Sequence, residues 1–224
     1  MTLFGMVKKV LQIALFLILT GVIWFSFTTP APQQQIGEAS RIFYYHIPVA
    51  WLTVVAYSIN LIFSIKYLKT KTEIDDYRAL WAAEIGTMFC VLATISGSLF
   101  AKVTWGIYWN WSEPRMLSIF VLLMIYGAYL ALRGATSSPE RRGTMAAVYS
   151  IFVFPTVPFF IFVMPRMMAS LHPSDSVVDS NLKFQMSGDV GWIFFISLAA
   201  FTALFFWLYT LGIRLHRVKI SRTE

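Results

Sequence analysis

The sequence predicts an all-α integral membrane protein with six transmembrane helices, and three observations predict it. Of 224 residues, 58% are hydrophobic and only 13% charged, with a mean hydropathy of +0.66. A soluble domain of this size carries about 25% charged residues, so this chain lacks the polar surface to enclose itself in water. Its apolar residues fall into six runs, each near the ~20 residues that a helix needs to cross about 30 Å of hydrocarbon. The links between the runs alternate between rich and poor in Lys and Arg, as the links of a multi-pass protein do.

The first run extends from about Val10 to Phe27 behind Lys8 and Lys9. That arrangement is shared with secretory signal peptides, but the run is long and Thr28-Thr29-Pro30-Ala31-Pro32 is a poor small-residue cleavage site. A retained first span is expected. The second run covers about Ile47 to Ile65, the third Ala79 to Ala101 and the fourth Met116 to Leu132. The fifth, from about Thr144 to Met164, contains Pro155 and Pro158, which remove backbone donors and predict a kink. The sixth covers about Val190 to Leu215. No internal repeat interrupts this pattern, and residues 1–224 read as a single six-helix domain.

The basic residues orient it. Only Arg41, Lys102, Arg115, Arg166 and Lys183 lie in the second, fourth and sixth sets of flanks; the remaining thirteen of the 18 lie in the others. The excess marks the cytoplasmic side, so both termini are expected in the cytoplasm. The net charge of +7 is therefore read as orientation and not as a nucleic-acid surface. A single cysteine, Cys90, lies inside an apolar run, which rules out an intrachain disulfide.

This topology gathers three oddities on one outer face. A link over 102–115 contains Thr104-Trp105-Gly106-Ile107-Tyr108-Trp109-Asn110-Trp111-Ser112-Glu113-Pro114-Arg115, where three tryptophans crowd a segment that would ordinarily shed aromatic area. His46 stands where the chain enters the second span, and His172 stands in a second outer link, 166–189. Imidazole is a good iron ligand and aromatic side chains suit a porphyrin face, so the pair suits axial ligation of haem. The alternative is that interfacial His and Trp only anchor helices at headgroup depth. Gly106 would relieve crowding under a ring system. Arg115 and Arg41 would pair with propionates, although Arg115 has Glu113 as an alternative partner. Arg166 is a further outer cation, or a cap on the fifth helix. His216 lies among Arg214, Arg217 and Lys219 on the opposite side and is assigned to a solvated basic end. Glu84, the one carboxylate well inside a run, is close enough to its inner end for snorkelling or an interhelical hydrogen bond.

Trp105-Gly106-x-x-Trp109-x-Trp111 followed by an acid and Arg115 resembles the WWD signature of membrane proteins that handle haem in cytochrome c maturation. Arg41-Ile42-x-Tyr44-x-His46-x-Pro48-x-Ala50-Trp51 and Leu171-His172-Pro173 are similar to the six-span C component of the multi-subunit pathway, the haem exporter protein C or CcmC type. One departure stands out. The family has Trp-Asp, whereas here Ser112 follows Trp111 and the carboxylate is Glu113, one position later.

The resemblance implies a haem carrier and transfer component, not a conventional enzyme, in the bacterial cytoplasmic (inner) membrane. It implies haem b held at the outer, periplasmic face by His46 and His172 as axial iron ligands. Trp105, Gly106, Trp109, Trp111, Glu113, Arg115 and Arg41 are then expected around the cofactor. It further implies work alongside ATP-binding cassette transporter subunits and a small single-helix membrane subunit, with haem presented to a periplasmic haem chaperone. Glu113→Ala is expected to give only a mild transfer defect. Three alternatives remain at this level: a WWD-type lyase or translocase subunit of the two-component pathway, which is usually longer and richer in histidine; a membrane cytochrome b, which usually pairs histidines within spans; and a small-solute permease, which would show discontinuous helices and polar midplane residues.

Overall fold

A computed structural model describes residues 3–32, 36–172 and 188–222. Its elements are α1 (Leu3–Thr28), a 3₁₀ turn (Gly37–Ile42), α2 (Phe43–Thr70), α3 (Glu73–Trp105), α4 (Pro114–Ala135) and α5 (Pro139–Val153). There follow the single turn α6 (Thr156–Pro158), a π-helical segment (Phe159–Val163), α7 (Met164–Met167) and α8 (Gly188–Ile220). Five helices are long and apolar enough to cross a membrane, and a sixth span results if α5 and the α6–α7 stretch are taken as one bent unit. The chain is thus all-helical among the described residues, with the architecture of a multi-pass membrane protein. Most of the outer link 166–189 lies outside the described residues.

The predicted kink is present. The two halves of the fifth span meet at 41°, and prolines account for it. Pro155 and Pro158 contribute no N–H, so the carbonyls around them are met differently. Val157 N–H donates to the Phe154 carbonyl at 2.9 Å and the Thr156 hydroxyl to Val153 at 2.6 Å. The chain then relaxes into the wider π turn, closed by Met164 N–H on the Phe159 carbonyl.

α2 and α3 form the centre of the bundle, with α8 on one side and α4 and α5 on the other. Leu52, Ala56, Ala82, Phe89 and Phe205 fill the α2–α3–α8 core, and Tyr57, Cys90, Leu122, Tyr126 and Ala146 fill the α2–α3–α4–α5 core. Small residues on α3 allow close approach, as helix packing in membranes requires. α1 lies apart, against α8, and leaves Phe16, Leu17 and Trp24 exposed, as a lipid-facing helix would.

Buried polar groups tie these helices together. Asn60, fully buried on α2, donates to the Ala79 carbonyl at 2.9 Å and to the Tyr129 hydroxyl at 3.3 Å, and accepts from Ser150. At the Lys/Arg-rich end, Arg133 of α4 makes a bidentate pair with Asp76 of α3 at 2.7 and 2.6 Å. Its side chain is only 7% exposed. Removing one partner of a buried pair strands the other charge, at a cost of about 3–5 kcal/mol. Asp76→Ala is accordingly expected to lower the midpoint of thermal unfolding in detergent, while Glu140→Ala, on the exposed end of α5, leaves it unchanged.

Candidate haem site

At the opposite end, α2 opens with a proline that shapes the site. Pro48 cannot donate to the Tyr44 carbonyl, which is the usual partner four residues back. Ser197 of α8 donates to that carbonyl instead, at 2.5 Å. The α2 turn carrying His46 is thereby fixed against α8. On the α3 side, His46 Nδ1 lies 2.8 Å from the Ser96 hydroxyl. The next residue is Gly97, where an added Cβ would come within 3.2 Å of His46 Cε1. The glycine is what lets the ring lie against the α3 backbone.

His172 is held from a different direction. Glu113 is 1% exposed, and both its oxygens point at residues 170–172. Oε1 accepts from the Ser170 hydroxyl at 2.5 Å, Oε2 from Leu171 N–H at 2.9 Å, and Oε1 lies 3.2 Å from His172 Nδ1. Burial works to raise the Glu113 pKa, but these hydrogen bonds and the neighbouring imidazole hold it below the usual carboxylate range. Burial and the nearby Arg115 guanidinium hold the His172 imidazole below the ordinary histidine value, against the opposing pull of Glu113. The carboxylate can only accept, so Nδ1 carries a proton and donates it, and in the neutral ring Nε2 is then left with a free lone pair.

His46 and His172 line one cavity of about 560 Å³, together with Trp51, Gly97, Trp109 and Arg115. Cofactor pockets commonly occupy about 300–1,000 Å³. α2, α3, α4, the π segment and α8 all contribute to a mostly apolar wall.

The cavity also has orphaned donors. Among the described residues, Arg115 Nε and Trp109 Nε1 are buried without a hydrogen-bond partner, and both residues line the cavity. Buried donors are normally satisfied. Arg166 lines the same space, donates to the Phe162 carbonyl at 2.6 Å, and repels Arg115 electrostatically. An anionic group between them would relieve both conditions. A flat apolar group with carboxylates and a metal open to two imidazoles fits this donor set.

The structure separates the three loop tryptophans, which were expected together around the cofactor. Trp109 lines the cavity. Trp105 packs edge-on against the His172 ring, with centroids 4.9 Å apart, and also against Phe100. Trp111 is 60% exposed and meets Trp109 and Phe120 edge to face. Gly106 does not relieve crowding, since a Cβ there would meet nothing within 4 Å. Its left-handed backbone, φ +79°, ends α3, with its N–H on the Lys102 carbonyl at 3.2 Å.

Two further expectations change. Arg41 is not brought to the cavity: it pairs with Glu38 and donates to the Ser26 and Thr29 carbonyls at 2.5 and 2.7 Å, closing the C-terminal end of α1. Arg115 does not pair with Glu113, whose oxygens are taken by 170–172. His216 is more than a solvated basic end, because its ring stacks on Tyr77 at 3.6 Å, 3.5 Å from a Glu73 oxygen. Glu84 is exposed on α3, away from the cavity.

Sequence reasoning missed Ser96, Gly97 and Ser197. The signal was present as Ser96-Gly97-Ser98, a small-residue cluster in an otherwise bulky run, which marks close approach of another group.

A family model described as CcmC, Heme exporter protein C, matches residues 1–224. Heme exporter protein C of Bradyrhizobium diazoefficiens is 34% identical over 122 residues, covering 54% of this chain and 46% of that protein. The protein of the same description from Rhodobacter capsulatus is 30% identical over 139 residues, 60% of this chain and 57% of its own length. That of Escherichia coli is 27% identical over 186 residues, 83% of this chain and 75% of its own. The alignments to the first two span about half the length of those relatives.

Proposed function

The chain belongs to the heme exporter protein C family, and from that premise we propose that it holds haem b between His46 and His172 and passes it to a periplasmic haem chaperone during cytochrome c maturation. One observation carries the reading: two histidines distant in sequence line a single apolar cavity, and both are fixed through Nδ1. Among the described residues no group of three or more metal-ligating side chains occurs, so a metal here would rest on the two imidazoles and on ligands that it brings with it. A bound haem would supply those, with its iron held by His46 and His172.

The rest falls to this chain's own side chains. His46 and His172 offer Nε2. Arg115 and Trp109 Nε1 offer donors to propionates, and Arg166 adds a second cation at the rim. Trp105 steadies the His172 ring. Trp111, exposed beside Trp109, is suited to meet the chaperone. An ATP-binding cassette transporter pair and a small single-helix subunit are the expected membrane partners.

The competing readings have less support. A cytochrome b needs ligands on both sides of the membrane for transmembrane electron flow, and at the far end only His216 is present, stacked on Tyr77. A permease would be expected to have a broken helix with polar groups at the break. The fifth span is broken between Val153 and Thr156, and the one polar side chain there, Thr156, is turned back onto the Val153 carbonyl at 2.6 Å.

The proposal places the cavity on the periplasmic side. With Cys90 replaced by Ser, an impermeant reagent added outside should label Asn110→Cys and not Ser137→Cys. The reverse pattern would put both histidines on the wrong face. Handover is tested by co-expression with the chaperone, reading haem on each partner separately. Trp111→Ala should retain most of its haem and pass on less. Normal transfer by this variant would make Trp111 an interfacial anchor only.

A further inference from the structure

We infer that His172 is the firmly held axial ligand and His46 the one that yields first to an incoming ligand, because their Nδ1 atoms are held by unlike acceptors, a carboxylate and a hydroxyl. The inference rests on the haem-binding reading above and adds to it a division between the two histidines.

The hydrogen bonds fix the roles. Ser96 Oγ donates its one proton within α3, to the Leu92 carbonyl at 2.8 Å with Ala93 at 3.2 Å. With Nε2 offered to iron, a neutral His46 carries its proton on Nδ1, 2.8 Å from that hydroxyl. His46 therefore donates Nδ1–H to a neutral acceptor. His172 donates to the Glu113 carboxylate. Hydrogen bonds with an ionised partner are roughly twice as strong as neutral ones, and a carboxylate on the remote nitrogen raises the basicity of the ligating one. Both rings are fixed in place, His46 by Gly97 and Ser96, and His172 by the docked 170–172 segment and Trp105. Position does not distinguish them. The charge behind each ring does.

Glu113 holds His172 only in part. Its Oε1 is shared between the Ser170 hydroxyl at 2.5 Å and His172 Nδ1 at 3.2 Å. Removing the Ser170 hydroxyl would leave Oε1 to His172 alone and strengthen the imidazole as a donor. Glu113→Gln would keep an oxygen for Leu171 and remove the charge. The two variants should therefore move ligand strength in opposite directions.

The test uses the haem-loaded full chain, chemically reduced and exposed to carbon monoxide, with resonance Raman spectra of the Fe–C and C–O stretches. Those frequencies read the basicity of the histidine left opposite carbon monoxide. If His46 yields, Glu113→Gln shifts them, Ser170→Ala shifts them the opposite way, and Ser96→Ala leaves them unchanged. A shift with Ser96→Ala and none with the other two would show that His172 yields, overturning the inference. No shift in any variant would overturn it too, since the hydrogen bonds would then not reach the iron. If Glu113→Gln fails to fold or load, Ser170→Ala decides by itself. Absence of low-spin haem in the unaltered protein is a different result, which counts against the proposed function and not against the ranking of the ligands.

Discussion

His46→Ala and His172→Ala are each expected to lose low-spin haem while the protein stays folded. Changes to the groups behind a metal ligand cost about 10–100-fold in affinity, and removing the ligand itself should exceed that. The fold should tolerate the change. His46 Nδ1 pairs with Ser96, whose hydroxyl remains satisfied by Leu92. Such a bond contributes about 0.5–1.5 kcal/mol net. His172 lies in the link that follows α7, outside the packed helices. The check is haem content and optical spectrum beside a helical circular dichroism signal. His216→Ala, distant from the cavity, should match the unaltered protein.

Glu113→Ala should come close to the histidine variants in severity. This reverses the mild effect expected from sequence, and the reason is geometric. The carboxylate does not face the cavity as one contact among many, since both its oxygens anchor 170–172. Its removal takes the acceptor from the Leu171 N–H and the Ser170 hydroxyl, and hydrogen bonds to a charged group contribute about 1.5–3 kcal/mol each. The segment should undock and carry His172 out of the cavity. Haem occupancy is expected to fall about 10–100-fold, in contrast to Trp111→Ala, which should keep haem and impair its transfer. If Glu113→Ala loads normally and only transfers poorly, the carboxylate is a contact for a partner and does not position His172.

The helices were legible because lipid imposes simple demands on sequence: apolar runs of fixed length with charge at the ends. The runs undershoot the real helices. α2 extends over Phe43–Thr70 and α3 over Glu73–Trp105, since the polar turns at their ends bond along the helix beyond the apolar run. The bend at Pro155 and Pro158 was equally readable, as proline acts through its own missing N–H. The two histidines stood out as rare residue types at one end of the bundle.

What sequence could not supply was direction. Glu113 is separated from Arg115 by one residue, and nothing local shows that its carboxylate turns toward 170–172. Arg41 is five residues before His46, yet the 3₁₀ turn Gly37–Ile42 sends its guanidinium to α1. Ser96 and Ser197 look like ordinary small membrane-helix residues until the partner helix is in place. One gives His46 its acceptor, and the other meets the carbonyl that Pro48 leaves free.

The central claim is that His46 and His172 together ligate haem in one cavity, and the optical spectrum of the purified full chain tests it most directly. The account predicts a low-spin spectrum with two nitrogenous axial ligands, lost in His46→Ala and in His172→Ala and unchanged in His216→Ala. A haem-free protein, or a spectrum that survives both substitutions, would contradict it.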